Sequence, residues 1–249
     1  MLSCNNIVLN YAIVMYDKSK SKVRTVQEIA GELPMPPVAS YFLCDSWYTC
    51  GSIMDAFIRK GFHTIGALKT NRILYPHGIK QKLSELAFHI RKTDSAVSLV
   101  TAHSRRYYAY RYEGNLNGIE NAVVLITYPK DAFHTPKVVR AFISTDVSLS
   151  TQEILDRYVE RWPVEVFFRQ SKDKLAFDRY QIRSSEGIQR YWLLMSLAHF
   201  IACTSCGETM PFEDGYAFIS RRIQEERIRY IYQCGVRHVH FEEILALAA

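Results

Sequence analysis

The chain lacks a cysteine framework. Its six cysteines, Cys4, Cys44, Cys50, Cys203, Cys206 and Cys234, follow no disulfide spacing. Only Cys203 and Cys206 form a CxxC pair, at the end of an apolar run. With no second pair beside it, buried reduced thiols are expected rather than a zinc site. No apolar run reaches the ~18 residues that a membrane span requires, and no secretory leader is visible. These absences fit a protein of the reducing cytoplasm that spans no membrane. Internal repeats and low-complexity tracts are missing too, which leaves an ordinary globular chain. One further absence bears on chemistry: no Asp or Glu precedes Asp17.

What is present suits a folded enzyme-sized chain. The 249 residues are ample for one or two compact domains, and 48% apolar with 22% charged content is usual for a globular protein. A net charge of +6 favours a polyanionic partner only mildly.

Ile7 to Tyr16 is rich in β-formers and reads as a strand buried on both faces. A basic turn, a short helix near Arg24 to Ala30 and a loop marked by Pro34, Pro36 and Pro37 follow. Tyr41 to Cys44 is a short apolar strand ending in Asp45, with Thr49 as a candidate cap for a helix running to Lys60. Gly61 to Leu68 reads as the next strand, so 41–68 is a β-α-β unit. A carboxylate at the carboxyl end of a parallel strand is where α/β folds place chemistry, although Asp45 also reads as a turn residue or cap.

From Lys69 to Ser144 the pattern is antiparallel β, with strands near 97–102, 106–112, 122–127 and 138–144. Turn signals lie at Gly114-Asn115 and Asn117-Gly118. Within it, Arg105, Arg106, Tyr107, Tyr108, Tyr110, Arg111 and Tyr112 interleave basic and aromatic side chains. That pattern suits DNA contact and equally suits a strand with an exposed polar edge. A long apolar helix is expected from Gly187 to Cys203, with His199 as a packing histidine. A charged helix from Tyr216 to Gln233 and a short terminal helix come after it.

The segment Tyr158 to Lys172 carries the most chemistry. As one continuous helix it would place Tyr158, Arg161, Glu165 and Lys172 within about 60° of one another. Leu155, Val159, Trp162 and Val166 would form the neighbouring apolar stripe. Glu165 suits a hard divalent cation. Arg161 suits phosphate oxygens as a fork, and Lys172 as a point charge. An ordinary solvated face with Glu–Lys and Glu–Arg pairs has the same spacing. Pro163 either kinks this helix or opens a new one at its first position.

Tyr, two residues, Arg, three residues, Glu, six residues, Lys is also the signature of a large group of insertion-sequence DDE transposases. The segment resembles that signature without gap or substitution, with Ser144-Thr145-Asp146 leading in and Val166-Phe167-Phe168-Arg169 following the Glu. The resemblance runs from about Asn5 to about Ala202. It implies an α/β fold of the ribonuclease H-like kind: a mixed sheet, flanking helices and an antiparallel β insertion between the second and third acidic residues. On that pattern the first part of the ribonuclease H-like domain is 1–68 and the insertion 69–144. The second part is then 145–205, and a C-terminal helical segment is 206–249.

The resemblance further implies metal-dependent DNA cleavage and strand transfer with Mg²⁺ or Mn²⁺. Asp45 and Glu165 would be catalytic metal ligands. Tyr158, Arg161 and Lys172 would hold DNA phosphates, and Trp47 and Trp162 would flank the site, either stacking on an unpaired base or packing. Transposon ends and target DNA are the implied partners, bound by a homodimer in a synaptic complex. The first Asp of the trio has no counterpart before Asp17, and the family's N-terminal DNA-binding segment has none either. The expectation is therefore a C-terminal part of a transposase with weak or no catalysis of its own. The alternatives are a metal-dependent nuclease on the same fold and a non-enzymatic DNA-binding fragment that interferes with intact transposase.

Overall fold

The computed structural model describes every residue except 5, 6, 117, 206, 208 and 249. The chain begins with strands β1 (Leu2–Cys4) and β2 (Ile7–Leu9), then helix α1 (Lys22–Glu32), β3 (Ser40–Cys44), α2 (Gly51–Ile58) and β4 (Phe62–Leu68). Next come β5 (Ile73–Leu74), β6 (Gln81–Lys82), α3 (Leu83–His89), β7 (Val97–Ala102), β8 (Arg105–Leu116), β9 (Ile119–Pro129) and β10 (Arg140–Ser144). Five helices finish it: α4 (Thr151–Val159), α5 (Pro163–Lys174), α6 (Ser185–Thr204), α7 (Phe212–Val236) and α8 (Phe241–Ala248). These elements form two compact units, one of residues 16–162 and one of residues 1–15 with 163–249.

The 16–162 unit is built on a mixed sheet in the order β3-β4-β10-β9-β8-β5-β6, with β7 paired to β8. β3 and β4 are parallel and joined through α2; β10, β9, β8 and β7 continue the sheet antiparallel. Strand β9 shows why the sheet is covered on both faces. Its side chains alternate with period two. Val123 and Leu125 pack with Ile154 and Leu155 of α4, while Ala122, Val124, Ile126 and Tyr128 pack with Met54 of α2 and Leu83 and Ala87 of α3. Both sets are apolar because both faces are buried. Each fully buried aliphatic side chain contributes roughly 1.5–3 kcal/mol.

The unit of residues 1–15 and 163–249 is mostly helical. β1 and β2 form a two-stranded antiparallel hairpin, and Asn10 Nδ2 donates to Ser196 Oγ of α6 at 2.8 Å. Helix α7 meets α6 so closely at Gly215 that a Cβ there would collide with the Ala202 carbonyl. His199 is buried between the rings of Phe212, stacked at 4.5 Å, and Phe167, edge-on at 4.9 Å. Its Nε2 lies 3.2 Å from Gln170 Oε1, as a packing histidine should be satisfied. Burial lowers its pKa to about 4.

Three sequence expectations are corrected. The strand expected over Ile7–Tyr16 stops at Leu9, and Tyr11, Val14 and Tyr16 are exposed. β-forming side chains supply a preference for extended backbone, not a pairing partner. Thr49 does not cap α2. Cys50 occupies that position without a side-chain hydrogen bond, while Thr49 is fully buried with its hydroxyl turned to β4. Strand β8 is no polar edge, because it lies between β7 and β9. Arg111 on it donates to the Leu149 and Val147 carbonyls ahead of α4. The expected turn at Asn117-Gly118 and the Cys203/Cys206 pair each include a residue outside those described.

Candidate active site

Asp45 follows directly on β3, at the carboxyl end of a parallel strand pair. The carboxylate is exposed. Its Oδ1 accepts the Trp47 amide at 2.8 Å, and its backbone carbonyl accepts the Tyr48 amide at 3.2 Å. This closes a tight Asx turn that fixes one carboxylate oxygen of an exposed residue. Trp47 is half exposed, with Lys22 Nζ 5.2 Å from its ring centroid. Behind Asp45, burial pushes the Cys44 thiol up to about 12, Asp45 adds to the rise and Arg161 opposes it.

Tyr158 and Arg161 sit at the end of α4. That helix starts with a reciprocal cap. Ser150 Oγ accepts the Glu153 amide at 3.3 Å, and Glu153 Oε2 accepts the Ser150 amide at 2.8 Å. Ile154 and Leu155 bury one face in the sheet. The ring of Tyr158 rests on Phe142 at 4.7 Å, and the Arg161 guanidinium lies 5.8 Å from the Tyr158 ring. Burial raises the Tyr158 pKa against the pull of Arg161, while Cys44 and Asp45 push it further up. Asp45, Cys44, Tyr158 and Arg161 thus share one electrostatic neighbourhood within the 16–162 unit.

After Val159 the helix tightens into a turn, with Arg161 N on Tyr158 O at 3.1 Å and Trp162 N on Val159 O at 2.9 Å. Trp162 is half exposed and meets His103 edge-on at 6.5 Å. A cavity of about 180 Å³ opens here, lined by Tyr107, Phe142, Tyr158, Arg161 and Trp162 among others.

Glu165 and Lys172 belong to the other unit. A new helix, α5, begins with Pro163 at its first position, where a missing N–H costs nothing. Glu165 lies in its first turn and Lys172 in its last, each where the helix dipole favours its charge. Seven residues apart, they share one face of α5, and both are exposed. The single continuous face expected for all four residues does not form: Tyr158 lies in the last turn of α4, Arg161 in the turn after it, and Glu165 and Lys172 ride on α5. Pro163 is the cause, because a helix running through it would clash at Val159.

The description transposase DDE domain matches residues 4–201. The chain belongs to that family. No curated protein matches it. The mixed sheet with flanking helices is consistent with the ribonuclease H-like transposase fold. Transposase-type function with DNA as partner follows from membership. No helix among the described residues is long and apolar enough to cross a membrane.

Family membership also implies a divalent metal. An exposed carboxylate is a suitable hard donor for such an ion, and both Asp45 and Glu165 are exposed. Among the described residues, no three His, Cys, Asp or Glu side chains gather into a metal-holding group. The donor type therefore fits such an ion.

Sequence reasoning missed the support of Asp45. Arg72, just past β4, donates from Nη2 to the Thr49 carbonyl. Gly66 faces the Thr49 methyl with no room for a Cβ. The signal was a glycine inside a strand, which marks a close approach.

Proposed function

We propose that this transposase carries out metal-dependent DNA cleavage and strand transfer, with Asp45 and Glu165 as metal-binding carboxylates. The observation that carries the reading is the Asp45 turn, with one oxygen fixed by the Trp47 amide at 2.8 Å and the carboxylate open to solvent beside Tyr158 and Arg161. A bound Mg²⁺ or Mn²⁺ would supply charge stabilisation on the phosphodiester. Arg161 holds a phosphate through its planar fork and Lys172 through a point charge. The half-exposed rings of Trp47 and Trp162 offer faces to an unpaired base. The partners are transposon ends and target DNA, bound by a homodimer. The first carboxylate of the trio is assigned to no residue of this sequence.

The test is cleavage of DNA carrying the sequences that flank the gene, in Mg²⁺ or Mn²⁺. Asp45→Asn and Glu165→Gln should each lower cleavage about a hundredfold or more while DNA binding persists. The Arg161→Ala, Lys172→Ala pair should weaken binding itself. Cleavage untouched by Asp45→Asn would refute the assignment. A second reading is a non-enzymatic DNA-binding fragment, favoured by the lack of any group of three or more His, Cys, Asp or Glu side chains among the described residues. It expects undiminished DNA binding in EDTA and no cleavage in either metal.

A further inference from the structure

We propose that Arg72 is a positioning residue that, with Thr49, holds the Asp45–Trp47 turn in its working shape. The proposal rests on the reading of Asp45 as a catalytic carboxylate. Pairing of β3 with β4 ends at Cys44 opposite Gly66, so β4 runs two residues past its neighbour. On that side the Ala67 carbonyl has no strand partner to receive from. The chain after Asp45 folds over this overhang. Thr49 Oγ1 donates to the Ala67 carbonyl at 2.9 Å, with Ser46 O at 3.3 Å as a second acceptor.

Thr49 fits there because Gly66 has no side chain. A Cβ on Gly66 would collide with the Thr49 methyl and lie 2.8 Å from Cys44 Sγ. The Thr49 carbonyl, buried with the rest of the residue, receives the Arg72 guanidinium. Arg72 is itself anchored from both directions. Its amide donates to Lys69 O at 3.2 Å and its carbonyl accepts from Leu83 N at 2.8 Å, at the start of α3. A guanidinium on so fixed a base reaches one carbonyl with one geometry, which the flexible ammonium of lysine does not reproduce. The segment from Asp45 to Cys50 is thereby held at both ends, by the Trp47 amide on Asp45 and by Arg72 and Ala67 on Thr49.

Amide hydrogen exchange in the full chain tests this without DNA or metal. Arg72→Ala should speed exchange at Trp47 and Tyr48 about tenfold, since a buried carbonyl loses its partner. Val123 to Ile126 of β9 should be unchanged. Thr49→Val should act likewise, and Arg72→Lys should restore part of the protection. Unchanged exchange at Trp47 in Arg72→Ala, or an equal acceleration across β9, would overturn the proposal. Should Arg72→Ala fail to fold, Arg72→Lys carries the same comparison with a smaller effect. Paramagnetic broadening of the Trp47 indole proton by Mn²⁺ adds the functional arm. It should need about tenfold more Mn²⁺ in Arg72→Ala and vanish in Asp45→Asn. Broadening that survives Asp45→Asn would refute Asp45 as a metal ligand, while the exchange data would still judge the clamp.

Discussion

In residues 16–162, β9 drives seven consecutive side chains, Ala122 to Tyr128, into one or other face of a covered sheet. In the other unit, α6 turns Leu193, Leu194 and Leu197 to solvent at 59%, 66% and 52% exposure. All three buried apolar clusters among the described residues lie within 16–162. The segment from Tyr158 to Lys172, proposed above to hold DNA and metal, straddles this contrast. Tyr158 is mounted on a sheet-backed helix, with Arg161 in the turn that follows it. Glu165 and Lys172 are mounted on a helix that buries little beyond Phe167 and Ser171. The two halves of the segment thus rest on supports of unequal depth, and substitutions should register that difference.

The largest effect is expected in the sheet. Leu125→Ala should cost about 3 kcal/mol, the usual outcome of a cavity in a closed core. Leu194→Ala on α6 should stay within about 0.5 kcal/mol. Urea unfolding of the two variants measures both, and equal losses would erase the contrast.

A middle-sized effect isolates the helical unit. His199 in the folded chain takes a proton only near pH 4, against an ordinary 6.5, because burial disfavours the charged ring. Below pH 6.5 the unfolded chain binds a proton that the folded chain refuses. Stability therefore falls as pH drops from 6.5 towards 4, by about 2 kcal/mol at pH 5. His199→Phe should flatten this slope in urea titrations at pH 7.5 and 5. A wild-type slope that persists in the variant would assign the acid sensitivity elsewhere.

The smallest effect compares two caps. Ser150 and Ser184 each accept an amide three residues on, at 3.3 Å and 3.1 Å, but only Ser150 has the reciprocal glutamate bond. Ser150→Ala should cost about 1 kcal/mol and Ser184→Ala about half that. Thermal melts that reverse the order would show that the reciprocal bond contributes little.

Much of the site's frame was legible. A short apolar run ending in Asp45, a helix and a second strand declared a β-α-β unit, because strand and helix periodicities differ and Asp interrupts the apolar run. The spacing of Tyr158, Arg161, Glu165 and Lys172 marked a segment of interest, but an ordinary solvated helix face has the same spacing. What escaped was tertiary. Thr49 reads as a cap by propensity, yet its hydroxyl bonds the Ala67 carbonyl, past the end of the β3–β4 pairing, instead of the end of α2. The helical wheel put Trp162 on a buried stripe, but the helix stops three residues earlier, so the ring faces solvent. Pro163 announced that something breaks there without saying whether by kink or restart. The run from Asn10 to Tyr16 has the right composition for a strand, and composition cannot name a neighbour.

Cys44 gives the site a chemically silent neighbour. With its thiol pushed up to about 12, roughly one molecule in a hundred thousand carries the reactive thiolate at neutral pH. Alkylating reagents and mild oxidants therefore pass over the residue bonded to Asp45 as long as β3 stays in place. The same sulfur becomes ordinary as soon as that strand lifts, so its labelling rate keeps time for the opening of the strand that carries the carboxylate.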